Sequence, residues 1–363
     1  MMSPIKYALL LFTKCLLICC WDLSSQGFDD YYYVSDIAIY FNKVFLALPR
    51  KTCFNGVKHP TVLEVSWTEL SHPLSKTRIK AISGQTEGNC SELLNAVALD
   101  IETRRSKLWI LDKGNEACSP KLIAYMLFQN SFSDLNIVLS GISGKMLNTI
   151  VIDDEIGIPT SRAFVGNTGE NSIVVIYLDD MEWRKFALVE ANKFLPINAD
   201  FIAISKDKSL LYFTSTESTT MFSTNTTNFA EPISEVASAN VTVLGHKLGV
   251  SSALETDYRN GLIYYLTRDY AVVRWSTGYP MMAEYHQVLA QSYKRMPFVS
   301  RIFTGPQRGI WALVNPFSPR ECDFMNQSVA LDSQSVTLKK RAIRIMRFNK
   351  FLDVFHNTET SLL

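Results

Sequence analysis

Acid–base side chains are spread along this 363-residue sequence without the grouping that a catalytic or metal site needs. Metal ligands recur at short, regular spacing, and no two of the histidines have that spacing. The five histidines are His59, His72, His246, His286 and His356. Asp257 and Asp269 lie around one predicted hairpin and could approach each other, but acidic residues at turns are usually turn formers. No nucleophile elbow, zinc-protease motif or phosphate-binding loop occurs, so we expect no metal, no cofactor and no evident catalytic group.

The cysteines predict disulfides and not a zinc site. Three of the seven lie in the first 20 residues, and the other four are separated by 37, 28 and 204 residues, with no C-x2-C pair. These four are Cys53, Cys90, Cys118 and Cys322. An even number of cysteines in an oxidising compartment indicates two disulfides, for which three pairings are possible.

The N-terminus has the three parts of a secretory signal peptide. Lys6 is followed by an apolar stretch from Tyr7 to Trp21, which a lysine interrupts, and then by Ser24 and Ser25. The alternative is a membrane anchor, but a spanning helix needs about 20 mostly apolar residues and this stretch is shorter. We therefore expect residues 1–25 to be a signal peptide, no membrane span, and a secreted, extracellular mature protein.

Four N-x-S/T sequons suit a secreted chain, although such triplets also arise by chance. They lie at Asn89, Asn225, Asn240 and Asn326. Cys90 is the middle residue of the first sequon, so disulfide formation competes with glycosylation there. The formal net charge of +1 gives no field that would attract nucleic acid, and we expect no nucleic-acid partner.

Short apolar and aromatic runs recur along the chain between clusters of Gly, Asn, Asp, Ser and Pro, which is typical of a many-stranded antiparallel fold. One aromatic residue in such a run recurs at intervals of 64, 55, 48, 52 and 47 residues. These markers are Phe45, Trp109, Phe164, Tyr212, Tyr264 and Trp311. A four-stranded propeller blade takes about 40 to 50 residues, whereas tandem β-sandwiches favour no such marker. We expect an all-β fold, a six-bladed β-propeller of four-stranded antiparallel blades over residues 26–350, followed by a tail at residues 351–363.

Three segments of the chain have motifs that are typical of one protein family. The family's first-blade strand, which ends in a Pro-Arg pair, is similar to KVFLALPR from Lys43 to Arg50. Its second blade, with an L-W-V-L-D-x-G signature, is similar to EGNCSELLNAVALDIETRRSKLWILDKG from Glu87 to Gly114. Its fifth blade is similar to SSALETDYRNGLIYYLTRDYAVVRWST from Ser251 to Thr277. The chain thus resembles the yellow/major royal jelly protein family of secreted insect proteins, in order from about Asp36 to Phe348, with the eggshell-associated branch as one alternative within the family.

The resemblance implies the disulfide pairings Cys90–Cys118 and Cys53–Cys322. Cys90 and Cys118 also lie on either side of a predicted strand pair, so a hairpin would bring them within disulfide distance. The second bond would join the first blade to the last. Closing so long a loop stabilises a fold by about 4 to 5 kcal/mol in the chain-entropy model.

Family members include a dopachrome-converting enzyme, salivary binders of biogenic amines, cuticle and eggshell proteins and storage proteins, so the fold leaves the function open. In the amine binders the ligand lies in the axial funnel, and the resemblance implies a set of equivalent residues here. They are Phe164, Asn167, Thr267, Asp269 and Tyr270. Relatives have an N-A-x-x-C-W-N run where this chain has YAVVRWS from Tyr270 to Ser276. The change removes an asparagine amide from the funnel, although Tyr270 supplies a hydroxyl and a ring face.

We therefore expect a secreted yellow-like protein with a structural or small-ligand-binding role in cuticle or eggshell maturation or in pigmentation. The expected ligand is a catechol or a small aromatic amine, and the expected macromolecular partners are extracellular-matrix or eggshell proteins. The alternative is a dopachrome isomerase of the melanin pathway. The lack of a recognisable proton-transfer group favours the binding role.

Overall fold

The computed structural model describes residues 18–20, 23, 32–50, 59–67, 79–154, 161–190, 197–229, 237–305, 308–318 and 341–347, with the backbone alone for residues 18–20 and 341–347. Several predictions fall outside these ranges. They are most of the signal peptide, Cys53, Cys322, the sequon at Asn326 and the tail at residues 351–363. These predictions stay untested by the structure.

The described residues form β-strands joined by short turns. In chain order the strands are β1 (Ile18–Cys20), β2 (Asp36–Tyr40), β3 (Lys43–Ala47), β4 (Val62–Ser66), β5 (Ile79–Ala81), β6 (Ala96–Glu102), β7 (Lys107–Asp112), β8 (Lys121–Met126), β9 (Ser131–Val138), β10 (Leu147–Asp153), β11 (Arg162–Asn167), β12 (Ser172–Tyr177), β13 (Glu182–Val189), β14 (Phe201–Ile204), β15 (Leu210–Thr214), β16 (Thr220–Asn225), β17 (Ser238–Asn240), β18 (Thr242–His246), β19 (Ser251–Thr256), β20 (Gly261–Leu266), β21 (Ala271–Ser276), β22 (His286–Gln291), β23 (Phe298–Thr304), β24 (Gly309–Asn315) and β25 (Arg341–Arg347). Short 3-10 helices lie at Gly144–Met146, Thr226–Phe229 and Ala283–Tyr285.

Strands that follow one another in the chain pair antiparallel and form each sheet. The first sheet contains β2–β5, the second β6–β9, the third β10–β13, the fourth β14–β16 with β18, the fifth β19–β22 and the sixth β23–β25. Two sheets gain a strand from elsewhere in the chain. β17 lies parallel to β13 at the edge of the third sheet, and β1 lies antiparallel to β25 at the edge of the sixth.

The all-β class is confirmed, but the predicted six-bladed β-propeller of four-stranded antiparallel blades is wrong. In the described ranges the structure has five blades of four-stranded sheets, not six, because the third sheet has five strands and one parallel pairing. The aromatic markers recur once per sheet and therefore carry no information on the number of strands. The connection between β16 and β18 returns to the open edge of β13, where Ala187 lies opposite Ser238.

The first strands of the sheets line a closed ring. β2, β6, β10, β14, β19 and β23 contact one another in that order, and β23 contacts β2. The apolar core lies between neighbouring sheets. In β20, Leu262 and Tyr264 pack toward the fourth sheet, whereas Ile263 and Tyr265 pack toward the sixth. A strand buried on both faces is apolar throughout, which explains why the markers stand in unbroken apolar runs.

The ring closes between the sixth and first sheets through side chains that do not depend on the predicted Cys53–Cys322 bond. Asn315 is fully buried, accepts a hydrogen bond from the Val34 N–H at 2.9 Å and donates to the Val34 carbonyl at 2.9 Å. Its amide also donates to Ser300 Oγ. Trp67 and Trp311 pack edge to face across the same junction, with ring centroids 4.9 Å apart. A buried polar network and an aromatic pair thus join the first and sixth sheets.

The predicted Cys90–Cys118 disulfide is confirmed, and its Cα atoms lie 5.4 Å apart. The buried Lys121 side chain fixes the segment that follows Cys90, because its Nζ donates to the carbonyls of Cys90 and Glu92. Asp112 lies 3.9 Å from the same ammonium and accepts backbone N–H groups from Leu94 and Asn95. The segment from Cys90 to Asn95 is therefore held by the disulfide, by Lys121 and by Asp112.

Candidate functional site

A cavity of about 580 Å³, here called the axial pocket, lies where the inner strands begin. Every inner strand contributes to its wall. The wall includes at least one residue from each inner strand, for example Asp36, Val97, Thr149, Phe201, Ser252 and Arg301. This volume is in the range of sites that bind small molecules.

A second pocket of about 390 Å³ lies toward the opposite ends of the inner strands. It is lined by later residues of the same strands, among them Asp100, Ile152 and Glu255. Arg301 lines both cavities, so its guanidinium separates the two halves of the ring axis.

Asp200 provides an unsatisfied hydrogen-bond acceptor in the wall of the axial pocket. The residue directly precedes β14 and is 5% exposed. Its Oδ2 accepts hydrogen bonds from the Thr216 N–H at 2.8 Å and Thr216 Oγ1 at 2.7 Å. Its Oδ1 has no hydrogen-bond partner among the described residues. Buried polar atoms are normally paired, so this oxygen keeps a capacity to accept a hydrogen bond that no described residue uses.

Aromatic side chains also line the axial pocket. Tyr33, Phe201, Tyr270 and Phe298 line the same pocket, and the Tyr33 and Phe298 ring centroids are 6.4 Å apart. The pocket thus combines apolar ring surfaces with a few polar groups, as small-molecule sites commonly do.

A cluster of carboxyl groups around one arginine occupies the ring axis. Arg301 Nε lies 3.3 Å from Asp36 Oδ1, and its Nη2 lies 3.7 Å from Glu255 Oε2. Asp36 also accepts the backbone N–H groups of Ile37 and Leu99, which links the first sheet to the second. Asp100 makes the equivalent bonds to Ile101 and Ile152 and links the second sheet to the third.

Burial controls the protonation of this axial cluster. Burial raises the pKa of Asp36 to about 6 and that of Glu255 to about 7, although Arg301 opposes both changes. The pKa of Asp100 is also raised by burial. Burial alone would lower the pKa of Arg301, but Asp36, Glu255 and Asp100 outweigh it and the pKa is raised overall. The arginine stays charged while Asp36 and Glu255 exchange protons near neutral pH.

A buried lysine lies beside the axial pocket, between the fourth and fifth sheets. Lys247 is 4% exposed, and its Nζ donates to Ser251 Oγ at 2.6 Å and to the Ser215 carbonyl at 3.3 Å. Burial lowers the pKa of Lys247 to about 7, against the attraction of Asp200. Close to neutral pH this amine is therefore only partly protonated.

The structure brings two of the predicted ligand-binding residues to the axial pocket. Thr267 and Tyr270 line it, whereas Asp269 is exposed on the same turn. Tyr270 has a left-handed φ of 52°, and its ring packs edge to face on Tyr293. This part of the predicted site forms one turn between β20 and β21.

The other two predicted residues are buried within the third sheet and do not line the axial pocket. The Phe164 ring packs against Phe229, with centroids 5.3 Å apart. The Asn167 amide donates to Glu170 Oε2 and Ser172 Oγ, both at 2.9 Å. Their contacts are those of packing and turn-forming side chains, and their predicted role in ligand binding stays a prediction.

Sequence reasoning missed the axial charges, although a signal for them exists. Asp36, Asp100 and Glu255 each lie nine residues before an aromatic marker, at Phe45, Trp109 and Tyr264. An acid at this fixed distance before the marker therefore recurs in three of the six repeats, each time on the first strand of its sheet. Asp200 and Lys247 have no comparable repeat in the sequence.

Three of the predicted glycosylation sites lie in described segments. Asn89, Asn225 and Asn240 are all exposed. Asn225 Oδ1 accepts hydrogen bonds from the N–H and the hydroxyl of Thr227, which is the third residue of its sequon. No helix in the described ranges is long and apolar enough to cross a membrane, and no group of three or more potential ligands there is arranged to hold a metal ion.

Comparisons with known proteins identify the fold and a family. The family model for major royal jelly proteins matches residues 96–329. No curated protein matches the chain. Among solved structures, regucalcin from Agrobacterium tumefaciens, described as a calcium-binding protein, has a TM-score of 0.51 at 12% identity and covers 88% of this chain and 94% of its own. Virginiamycin B lyase from Staphylococcus aureus also has a TM-score of 0.51 at 12% identity, with 82% and 81% covered. At such identities the likeness extends to the fold alone.

Proposed function

The chain belongs to the major royal jelly protein family, and on that premise we propose that it is a secreted, yellow-like propeller that binds a small catechol or aromatic amine in the axial pocket. Such binding would serve cuticle or eggshell maturation or pigmentation, the roles that the family resemblance implies. Extracellular-matrix or eggshell proteins are the proposed macromolecular partners.

The free Asp200 Oδ1 is the observation that carries this proposal. Its oxygen is buried, fixed by Thr216 through the other carboxylate oxygen and without a partner in the described residues. A catechol hydroxyl or an ammonium group is a donor that would satisfy it. The rings of Tyr270 and Phe298, which line the same pocket, provide faces for an aromatic ligand or a cation.

Titration calorimetry with dopamine and serotonin tests the proposal. Asp200→Asn presents an amide where the pocket has an acceptor, so dopamine affinity should fall by about tenfold or more, as the loss of a charge-assisted hydrogen bond of roughly 1.5 to 3 kcal/mol implies. Asp207→Asn is the matched control, because Asp207 is exposed on the β14–β15 turn and accepts bonds from Ser205 and Ser209 in that turn. Equal affinities in both variants, or no heat of binding in the wild type, would exclude the proposed ligand site.

The alternative function, dopachrome isomerisation, is favoured by one specific group. Asp36 lines the axial pocket, and burial raises its pKa to about 6, close to the value at which a carboxyl group can both accept and return a proton. If the protein is an isomerase, it accelerates the loss of dopachrome absorbance, and Asp36→Asn abolishes that acceleration while dopamine still binds. A wild-type protein that leaves the dopachrome decay rate unchanged rules this function out.

A further inference from the structure

The environment of Lys247 differs from that of a structural lysine. The side chain is 4% exposed, and in the described residues its Nζ has two hydrogen-bond acceptors, Ser251 Oγ and the Ser215 carbonyl. No carboxylate of those residues lies within ion-pair distance of it. A buried ammonium carries three protons and is strongly disfavoured without a paired charge.

The neutral form of this lysine has a defined chemical use. Burial lowers the pKa of Lys247 to about 7, although the negative charge of Asp200 acts to raise it. A neutral amine has a lone pair that accepts the proton of a hydroxyl at hydrogen-bond distance. The Ser251 hydroxyl is that neighbour, with 2.6 Å between the two heavy atoms.

Ser251 connects this pair to the ligand cavity. It is the first residue of β19, is fully buried and lines the axial pocket, which Lys247 does not. The arrangement of nucleophile and base at hydrogen-bond distance is the one that activates serine in covalent catalysis. The rings of Phe201 and Tyr270 in the same wall suit an aromatic or aryl-ester compound.

We propose that Ser251, activated by Lys247, is a nucleophile that reacts with acyl esters entering the axial pocket. The bond that forms joins Ser251 Oγ to the acyl carbon, and the ester C–O bond breaks. The serine proton passes to Lys247 Nζ and then to the oxygen of the leaving alcohol. Nothing is oxidised or reduced, and water completes the cycle by releasing the acid. The reaction requires no catechol and no free Asp200 oxygen, so it stands apart from the proposed ligand binding.

An alkyl fluorophosphonate probe tests this inference on the full secreted chain. It reacts with an activated serine by forming an O–P bond and releasing fluoride with the serine proton. Peptide mapping by mass spectrometry should place one adduct on Ser251. The labelling rate should rise with pH and level off above about 7, because the neutral lysine is the reactive form.

Three variants separate the nucleophilic role from a structural one. Ser251→Ala should abolish the adduct, and Lys247→Met should slow labelling by about 100-fold, the scale of general-base catalysis. Ser223→Ala is the matched control, since Ser223 is a buried serine of β16 in the neighbouring fourth sheet and does not line the axial pocket. It should label at the wild-type rate.

The inference is overturned if folded wild-type protein is not labelled at Ser251, or if Lys247→Met is labelled at the wild-type rate. Circular dichroism of each variant establishes that it is folded. Met replaces the buried amine with an apolar chain of similar length, so this variant keeps the packing between the fourth and fifth sheets.

Discussion

Replacing Glu255 by glutamine should make the protein more stable above neutral pH. Burial raises the pKa of Glu255 from its ordinary 4.5 to about 7, although Arg301 lies 3.7 Å away and opposes the change. The folded state therefore binds a proton more tightly than the unfolded state does. The contribution of such a group to the free energy of unfolding is complete below pH 4.5, falls as the pH rises toward 7 and is lost above that pH.

The size of the effect follows from the two pKa values. The difference between 4.5 and about 7 corresponds to about 3 kcal/mol, at roughly 1.36 kcal/mol per pH unit. Glutamine mimics the protonated acid and can still accept the Thr256 N–H, which Glu255 accepts at 3.1 Å. At pH 8 the variant should therefore gain up to about 3 kcal/mol, and at pH 4 it should differ little from the wild type.

Urea unfolding at pH 4 and pH 8 measures this difference, with Glu284→Gln as an exposed control in the short 3-10 helix between β21 and β22. Asp36 keeps part of the pH dependence in the variant, because burial raises its pKa to about 6. A Glu255→Gln protein that is less stable than the wild type at pH 8 would refute the reasoning. It would mean that the attraction to Arg301 outweighs the cost of burying the carboxylate.

Three further predictions concern ring closure, the disulfide and the β20–β21 turn. Asn315→Ala removes two buried hydrogen bonds to Val34, across the junction of the sixth and first sheets, and one to Ser300 within the sixth sheet. It should cost about 2 to 4 kcal/mol in urea unfolding, whereas the exposed Gln287→Ala should cost less than about 0.5 kcal/mol. Replacing Cys90 and Cys118 together by alanine should lower the free energy of unfolding by about 3 to 4 kcal/mol, since the disulfide closes a loop with a sequence separation of 28. An unchanged midpoint of urea unfolding would contradict this. In Tyr270→Asn the new residue tolerates the left-handed φ of 52° at this position of the turn, and its amide faces a pocket where relatives also have an asparagine. Calorimetry should therefore show tighter dopamine binding than in the wild type. Weaker binding would mean that the Tyr270 ring is the more important contact.

The fold class could be predicted from the sequence because the markers are physically determined. Trp109 and Tyr264 lie in the second strands of their sheets, where both faces are buried, and such strands must be apolar. The number of strands per sheet could not be predicted. The parallel pairing of β17 with β13 depends on where the connection between β16 and β18 packs, which is a tertiary contact that the local sequence pattern does not predict.

The predicted Cys90–Cys118 bond followed from a hairpin and a resemblance, and the structure places both cysteines at the ends of one loop. Whether the predicted site residues bind a ligand stays a prediction, but their positions in the fold are known. Resemblance led to Thr267 and Tyr270 in the axial pocket, but also to Phe164 and Asn167, which are buried in the third sheet. A side chain's direction depends on strand twist and bulges, which spacing alone does not determine.

Asp200 and Lys247 could not have been found from sequence because their properties arise from tertiary contacts. Asp200 stands at a strand start, where an acid is usually a turn former, and its free oxygen results from the position of Thr216. Lys247 follows an exposed strand in the sequence, and its burial results from packing between the fourth and fifth sheets.

A crystal structure of the protein with dopamine would test the central claim most directly. The account predicts that the ligand occupies the axial pocket, with a hydroxyl or ammonium donor within about 3 Å of Asp200 Oδ1 and its ring against Tyr270 or Phe298. An axial pocket without ligand at saturating dopamine, or a ligand whose donors point away from Asp200, would contradict it.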